Sequence, residues 1–473
     1  MHASSSDISI CVKNIQQFYI CMTRGMDSRS LVPPDYPSCS TFVDLKVRAC
    51  PNLSPCLLSS LDSTHHRDSH LSLTQLSLLT ELVGHPHTVL NISPCFSKFQ
   101  AVRMSKFSIT NVRIFDGEKV VQEQGTVTID QNGLITDDHS CAASFDATGM
   151  TILPSLWDTH VHVFGPGVPT STSIASLSDM LKCGITTAID TGKMSKEQHD
   201  LIQNRPELPD IRFTGNFATS TGSTHSKFQM ADSNSIVDDV EAATTFVSKR
   251  VNEGADYIKI VADVPGPSQA IIDQLSSKAK EHGMMTIVHA SINEAFRMAL
   301  KAQPDVNIIT HVPMDKDLAG GDASRMATKN TVAVPTLAMS EVFCKAGFKP
   351  HYKFPNAMES AKQLHRAGVT ILVGTDSNHS PVGPKHGESL FREVELLAEA
   401  GMEPIEILTA ATKLSAKCFD MLDRGVIAPG KRADLLLVDG NPTEDLQALR
   451  KVVKVWKAGK EVYSVSSSAT SHD

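Results

Sequence analysis

The chain has 473 residues, of which 41% are hydrophobic and 20% are charged, and its formal net charge at pH 7 is −8. These values are typical of a globular protein with two or three domains, and they exclude a collagenous or wholly disordered chain. A negatively charged surface repels phosphate backbones, so we expect no nucleic-acid partner. The sequence has no run of roughly 18 apolar residues, so we expect no membrane-spanning helix.

The first 103 residues differ from the rest of the chain in composition. They contain six of the ten cysteines and many serines and prolines, without a sustained alternation of strands and helices. We predict a low-complexity, disordered extension at residues 1–103, a functional protein that begins at Met104, and a short disordered tail at residues 466–473. Because there is no CxxC pair and no secretory apolar segment, we expect reduced cysteines and a cytoplasmic location.

Both ends of the remaining region show the period of two that is typical of β-strands. The segments that alternate apolar and polar side chains are 107–117, 126–135, 433–440 and 452–463. Turn sequences, Asp116-Gly117 and Asn132-Gly133, occur within the first two. We therefore predict that residues 104–153 and 424–465 together form one small β-sandwich domain.

Residues 154–423 alternate short apolar runs with amphipathic stretches of helical period. The strand candidates are Leu156–Val163, Thr186–Thr191, Asp210–Ala218, Tyr257–Ala262, Met285–His289, Asn307–His311, Val332–Pro335 and Thr370–Thr375. The clearest helix candidates are Val237–Val251, Ala270–His282, Ser291–Ala302, Asn356–Ala367 and Leu390–Ala400. Such repeats predict an α/β fold, a (β/α)8 TIM barrel, whose usual length is about 250 residues. A doubly wound open sheet is the alternative, but no GxGxxG turn follows the first strand.

Side chains that can bind a metal lie near the ends of four of these strands. His160 and His162 are two residues apart in the first strand, so they point to the same side and can chelate one ion. Two hydrogen-bonded core histidines would explain such a pair taken alone. His289, His311 and Asp376 lie at the ends of the fifth, sixth and eighth strands. Because each unsatisfied buried polar group costs about 1–3 kcal/mol, a shared metal is the simplest explanation of the set.

A lysine lies in the middle of the fourth predicted strand. Tyr257 and Val261 share the face of Lys259. If that face points inward, a protonated lysine would lie beside the metal ions, which is electrostatically unfavourable. A neutral lysine can instead react with carbon dioxide to give a carbamate, an anionic ligand that can bridge two metals. The alternative is that Lys259 lies on another face and pairs with a carboxylate.

This ligand pattern resembles that of the metal-dependent amidohydrolase superfamily. The residues that match it are His160, His162, Lys259, His289, His311 and Asp376. The segments Leu153–Asp158, Gly374–Asp376 and Gly425–Asp434 are similar to the imidazolonepropionase-related branch, many members of which are dipeptidases with a carboxylated lysine. The resemblance covers about residues 106–463.

The resemblance implies two divalent metal ions, and nitrogen and oxygen ligands favour zinc, with manganese, iron and cobalt as alternatives. It implies one metal held by His160, His162 and Asp376, a second held by His289 and His311, and carboxylated Lys259 and a hydroxide bridging the two. In this mechanism the hydroxide attacks the amide carbonyl. Asp376 accepts its proton and passes it to the departing amine.

The function implied is hydrolysis of an amide C–N bond in a small molecule, which is a dipeptide, an N-acyl amino acid or a cyclic amide. A deaminase or cyclic amidine hydrolase that uses one metal is one alternative, and a non-catalytic binding scaffold is another. The complete ligand set argues against the scaffold, and the number of bound metals separates the two enzymes. A homo-oligomer is compatible with the resemblance, since relatives commonly assemble.

Three further residues are candidates for substrate contact. His225 ends the segment Gly222-Ser-Thr-His225 after the third strand, where relatives often carry Gly-Gly-His. His386 lies in the loop after the eighth strand, and a solvated histidine at a helix start is its alternative explanation. Tyr257 shares the face of Lys259, and packing explains it equally well.

Overall fold

The computed structural model of the protein describes residues 105–140, 143–227 and 232–465. The predicted extension at residues 1–103 and the predicted tail at residues 466–473 lie outside the described residues. None of the helices in the described part has the length and apolar character that a bilayer crossing requires.

Five strands occupy the first part of the described region. They are β1 (Phe107–Phe115), β2 (Val120–Ile129), β3 (Ile135–Thr136), β4 (Ala143–Asp146) and β5 (Met150–Pro154). Strands β1 and β2 pair antiparallel, and β4 and β5 both run parallel to β1. In the turn between β1 and β2, Asp116 Oδ1 accepts hydrogen bonds from the backbone of Glu118 at 2.8 Å and of Lys119 at 2.9 Å. Aspartate favours turns because its side chain can bond the backbone two or three residues on.

Short, buried parallel strands follow. They are β6 (Leu156–Val161), β7 (Ile185–Asp190), β8 (Asp210–Phe213), β9 (Phe217–Ala218), β10 (Ile258–Val261), β11 (Thr286–His289), β12 (Ile308–Thr310) and β13 (Val332–Val334). Strands β6 to β8 form one parallel sheet, and β9 to β13 form a second. Burial on both faces is typical of parallel strands that helices cover.

Most predicted strands are found within two residues of their predicted bounds, and the third is the first of two that the structure does not form as one continuous strand. The sequence predicted one strand at residues 210–218, whereas β8 and β9 are separate. Gly215 lies between them with a φ of 64°, in the left-handed region. An extended strand cannot continue through that conformation, which glycine adopts without steric cost.

The eighth predicted strand, residues 370–375, makes isolated bridges in the structure. Ile371 is bridged to Ala333 of β13, and Ser377 is bridged to Val161 of β6. The Thr159 backbone N also donates to Val373 O at 2.9 Å. Residues 370–377 are therefore bonded to β13 on one side and to β6 on the other.

Helices separate most of the parallel strands, which confirms the predicted α/β class. They are α1 (Thr170–Lys182), α2 (Lys196–Ile202), α3 (Val240–Asn252), α4 (Gln269–Glu281), α5 (Asn293–Lys301), α6 (Asp322–Thr328), α7 (Leu337–Lys345), α8 (Phe354–Arg366), α9 (Ser389–Glu399), α10 (Pro404–Thr409) and α11 (Ser415–Cys418). Helix α5 shows why they form, since Ala295, Phe296, Ala299 and Leu300 make one buried face at helical spacing. A π-helical turn at Ala410–Leu414 and 3₁₀ turns at His225–Lys227 and Leu446–Arg450 complete the helical elements of the described residues.

Three C-terminal strands return to the first sheet. They are β14 (Leu435–Asp439), β15 (Val452–Lys457) and β16 (Lys460–Ser464). Strand β14 pairs antiparallel with β5, so the order in the sheet is β16-β15-β14-β5-β1-β2-β3, with β4 also beside β1. Strands from both ends of the region therefore share one sheet, and its arrangement as a sandwich domain stays a prediction.

A cluster of charged side chains joins the C-terminal segment to the start of β8. Asp210 lies 2.6 Å from Arg424, 2.7 Å from Arg432 and 2.6 Å from Lys457. Burial alone would raise the pKa of Asp210, but these cations outweigh it and hold the pKa well below the usual range. Arg432 belongs to the Gly425–Asp434 segment of the resemblance, which therefore has a structural role in this chain.

Candidate metal centre

A pair of histidines at the end of β6 faces one carboxylate. The ring centroids of His160 and His162 lie 5.4 Å apart. Nε2 of His162 is 3.0 Å from Asp376 Oδ1, and Nε2 of His160 is 3.5 Å from the same oxygen. His160 is only 1% exposed. The structure thus brings together three of the predicted metal ligands.

The close approach of Asp376 to β6 requires a glycine two residues earlier. A Cβ atom on Gly374 would lie 2.5 Å from Val334 Cγ1 and 3.0 Å from the backbone N of His160. Asp376 itself has a φ of 58°, and its backbone N donates to His160 O at 2.8 Å. Non-glycine residues in this conformation are uncommon and concentrate at functional sites. The Gly374–Asp376 segment therefore fixes the carboxylate against the histidine pair.

Two more histidines complete the cluster. His289 ends β11 and His311 follows β12, and their ring centroids are 4.3 Å apart. The His311 ring is 5.0 Å from that of His160. Nδ1 of His311 lies 2.6 Å from Thr336 Oγ1, so Nε2 is the atom that can bind a ligand. All four predicted histidines therefore lie in one cluster.

The environment keeps most of these imidazoles neutral. Burial lowers the pKa of His160 and His289 well below the usual value, and it lowers the pKa of His311 to about 3. Burial also acts to lower the pKa of His162, but its hydrogen bond with Asp376 and the charge of that carboxylate outweigh burial and raise it. Metal-binding histidines must be unprotonated, so His160, His289 and His311 are already in the required form at neutral pH.

Lys259 lies within β10 and is 3% exposed. Its Nζ donates to Thr310 Oγ1 at 3.3 Å, and no carboxylate among the described residues forms an ion pair with it. Burial lowers the pKa of Lys259 to about 7, although the charges of Asp376 and Asp190 act in the opposite direction. The structure thus places Lys259 inward, and it does not show the carboxylate pairing that was the alternative.

Two buried carboxylates hold the backbone beside the cluster. Asp158 accepts hydrogen bonds from Thr375 N at 3.0 Å and Thr375 Oγ1 at 2.7 Å, and Asp190 accepts from Val163 N at 2.7 Å and Gly192 N at 3.1 Å. Burial raises the pKa of Asp158 to about 7 and that of Asp190 to about 6. The sequence analysis missed Asp190, although its position at the end of β7 was an available indication.

A carboxylate–histidine pair lies next to the cluster. Nδ1 of His225 is 2.7 Å from Asp263 Oδ2, and the His225 ring centroid is 4.4 Å from that of His289. Burial would raise the pKa of Asp263, but the hydrogen bond with His225 outweighs it and lowers the pKa. The structure therefore brings His225, a predicted substrate residue, to the cluster. Asp263 was missed, although it closely follows β10, the strand that contains Lys259.

The other two predicted substrate residues have different surroundings. His386 is 7% exposed, and its Nε2 donates to the His162 carbonyl oxygen at 3.1 Å. His386 is therefore not the solvated histidine of the alternative explanation. Its Nε2 is bonded to the backbone and does not point at the histidine cluster. Tyr257 packs on Phe419 with ring centroids 5.3 Å apart, in an apolar group that includes Trp157. The structure favours packing as the explanation of Tyr257.

The donor atoms fit divalent metal ions. Two sets of side chains each bring three ligand atoms within 4.8 Å of one another. The first set is His160, His311 and Asp376, and the second is His225, Asp263 and His289. One buried ring nitrogen of the cluster, His289 Nε2, has no hydrogen-bond partner among the described residues. A buried polar atom without a partner costs about 1–3 kcal/mol, which coordination of a metal would offset. Imidazole and carboxylate donors are the ligands that zinc accepts.

Replacing Thr336 by valine removes the oxygen that orients His311 and changes the side-chain volume little. We expect metal affinity to fall about 10- to 100-fold, because partners that orient a ligating histidine contribute that much. Titration of the apoprotein against a zinc-sensitive indicator measures the change. Thr331→Val is the matched control, since the buried Thr331 hydroxyl donates to Val306 O instead. An equal loss of affinity in both variants would contradict the role of Thr336.

The chain is similar to known proteins in sequence and in fold. The family model described as "Amidohydrolase family" matches residues 151–462. An imidazolonepropionase from Deinococcus deserti is 31% identical over 199 residues, which are 40% of this chain and 44% of that protein. An enamidase from Eubacterium barkeri is 24% identical over 360 residues, which are 70% of this chain and 84% of that protein. The crystal structure of a Xaa-Pro dipeptidase with bound methionine in the active site has a TM-score of 0.66 and 25% identity, over 76% of this chain and 100% of that chain. The chain thus spans less than half the length of the imidazolonepropionase.

Proposed function

We propose, from the premise that this chain belongs to the amidohydrolase family, that it hydrolyses an amide C–N bond of a small molecule with bound divalent metals. The observation that carries the proposal is the convergence of four histidines, Lys259 and Asp376 from five separate parts of the chain. The family membership confirms the resemblance predicted from the residues. A dipeptidase and an enamidase among the similar proteins support a dipeptide, an N-acyl amino acid or a cyclic amide as the substrate. The cytoplasmic location and a homo-oligomer stay predictions.

The catalytic domain that we propose comprises residues 154–423, with the two parallel sheets closed into one (β/α)8 barrel. Two junctions support closure. Residues 370–377 bridge β13 and β6, and the Asp256 backbone N donates to Phe213 O of β8 at 2.8 Å. Residues 104–153 and 424–465 would form the second domain around the mixed sheet. Strand ends of a barrel meet at one face, which explains how residues distant in sequence reach one cluster.

Two divalent ions, with zinc as the first choice, are the proposed cofactors. By the resemblance, His160, His162 and Asp376 would hold one ion, and His289 and His311 would hold the other. The geometry differs in one respect, because a His311 nitrogen also lies within 4.8 Å of ligand atoms of His160 and Asp376. When bound, such ions lower the pKa of water towards 7 and polarise a carbonyl group.

Lys259 would contribute to this site as a carbamate. Burial lowers its pKa to about 7, so a large share of the amine is neutral at pH 7. The neutral nitrogen would add to the carbon of carbon dioxide, so that an N–C bond forms while one C=O π bond opens to an oxyanion, and the nitrogen would lose one proton to water. The product carries a negative charge on oxygen, and it would offer bound metals an anionic oxygen ligand.

Asp376 is the proposed general base and acid. Burial alone would raise its pKa, but the hydrogen bond with His162 and the charges of His162 and Lys259 outweigh burial and lower the pKa, so the carboxylate is ionised at neutral pH. An ionised carboxylate can take a proton from the attacking water at an Oδ atom. It can then deliver that proton to the amide nitrogen as the C–N bond breaks, so Asp376 ends the cycle unchanged.

Metal analysis by mass spectrometry, combined with a panel of dipeptides, N-acyl amino acids, lactams and aminopurines, tests this function. We expect two equivalents of metal and release of an amine from the amide substrates. One equivalent of metal with release of ammonia from an aminopurine would instead support the deaminase alternative. Protein that binds no metal under any loading condition would support the scaffold alternative.

A further inference from the structure

A lysine near the cluster has only neutral partners. Lys349 lies between α7 and α8, half-buried. Its Nζ donates to Tyr352 Oη at 3.0 Å and to Thr224 Oγ1 at 3.3 Å, and it lies 4.9 Å from the Tyr352 ring centroid. The two hydroxyls and the ring fix the position of the ammonium group, but none of them neutralises its charge.

Both hydroxyls connect Lys349 to the loops of the metal centre. Thr224 directly precedes His225 in the sequence. Tyr352 Oη lies 3.0 Å from the hydroxyl of Ser291, which is two residues after His289. The ammonium is therefore held between the loop of His225 and the loop of His289. Its charge also contributes to lowering the pKa of His289, after larger effects from burial and from His311, His225 and Lys259.

Lys349 forms no direct ion pair within the described part of the chain. No described carboxylate forms an ion pair with it, and Asp263, which its charge influences, is bonded to His225 instead. The short segment 228–231, outside the described residues, contains no acidic residue in its sequence. An ammonium has three N–H donors, and the two hydroxyls account for two of them. A third N–H donor of the ammonium is therefore available to an anion.

We propose that Lys349 binds a carboxylate of the substrate and so determines specificity. This inference rests on the proposed function, and it narrows the substrate to amides that carry a free carboxylate, which are dipeptides and N-acyl amino acids rather than neutral cyclic amides. Thr224 and Tyr352 are positioning residues, because they hold the ammonium at the edge of the metal centre. A hydrogen bond from an ammonium to a carboxylate is stronger than one between neutral groups, so a substrate with a free carboxylate would bind more tightly than a neutral one.

The test compares the metal-loaded wild-type protein with Lys349→Met, Lys349→Arg and the control Lys345→Met, which removes an exposed positive charge from the end of α7. Acetate release from N-acetyl-L-leucine and from N-acetyl-L-leucinamide gives kcat and KM. Calorimetric binding of L-leucine and L-leucinol gives a readout that needs no hydrolysis, since neither probe contains an amide.

In Lys349→Met we expect kcat/KM for N-acetyl-L-leucine to fall about 10- to 100-fold through KM, as for a lost hydrogen bond between charged groups. In the same variant, kcat/KM for N-acetyl-L-leucinamide and the metal content should be unchanged. Lys345→Met should keep the wild-type kcat/KM for both substrates, and Lys349→Arg should recover part of the loss. L-leucine should bind the wild type more tightly than L-leucinol, and Lys349→Met should abolish that difference. Hydrolysis with a carboxylate preference that survives in Lys349→Met would overturn the inference and leave the proposed function intact. Lys349-dependent binding of L-leucine without hydrolysis of any amide would overturn the proposed function and support the carboxylate site.

Discussion

Asp376→Asn is expected to lower kcat by about 10²- to 10⁴-fold, the range that general acid–base catalysis contributes. Asparagine has the size of aspartate and keeps an oxygen that can face His160 and His162, but it cannot accept or deliver a proton. Steady-state hydrolysis of the amide identified by the substrate panel measures the effect. The metal content must be determined on the same preparation, because Asp376 is also a proposed ligand.

A second aspartate provides the control for this substitution. Asp315 Oδ1 accepts a hydrogen bond from the backbone of Asn293 at 2.8 Å, and it lies in the loop that follows His311. Asp315→Asn should retain kcat within about threefold, as expected for a group outside the chemistry. Near-normal turnover by Asp376→Asn with both metals bound would disprove the role proposed for Asp376.

Lys259→Met is expected to have opposite effects on activity and on the stability of the apoprotein. Activity should fall about a thousand-fold or more, because the variant lacks the proposed carbamate ligand and a bound metal supplies several kcal/mol of charge stabilisation. Lys259→Glu, which restores an anionic oxygen, should recover part of the metal binding. The readouts are metal stoichiometry and kcat/KM.

The apoprotein should be more stable in Lys259→Met than in the wild type at pH 7. Burial lowers the pKa of Lys259 from 10.5 to about 7, so between these values the folded state binds fewer protons than the unfolded state. The contribution of Lys259 to stability therefore rises with pH through this window, and it is most unfavourable at and below pH 7. Methionine removes the buried ammonium, so the advantage of the variant should shrink as the pH approaches 10.

Thermal unfolding of chelator-treated protein from pH 6.5 to pH 10 measures this difference. A wild-type apoprotein that unfolds at a higher temperature than Lys259→Met at pH 7 would contradict it. Such a result would mean that the hydrogen bond from Lys259 to Thr310 outweighs the cost of burying the charge.

Much of the candidate site could be predicted from local pattern. The period of two placed His160 and His162 on one side of a strand, and the repeating apolar runs placed His289, His311 and Asp376 at strand ends. Side-chain direction in a strand depends on residue spacing alone, so such inferences need no knowledge of the loops. The same spacing put Tyr257 on the face of Lys259, yet Tyr257 packs on Phe419. Spacing gives the face of a strand but not the depth at which a side chain lies.

The sequence by itself determined the α/β fold class, the approximate positions of most strands and the chemical types of the candidate ligands, because these follow from periodicity and from donor atoms within short segments. Only the tertiary structure decided that Asp263 pairs with His225, that His386 bonds the His162 carbonyl and that Lys349 reaches the loop of His225. These contacts join residues 38, 224 and 125 positions apart through loops and turns. The path of a loop depends on what it packs against, and no local period encodes that.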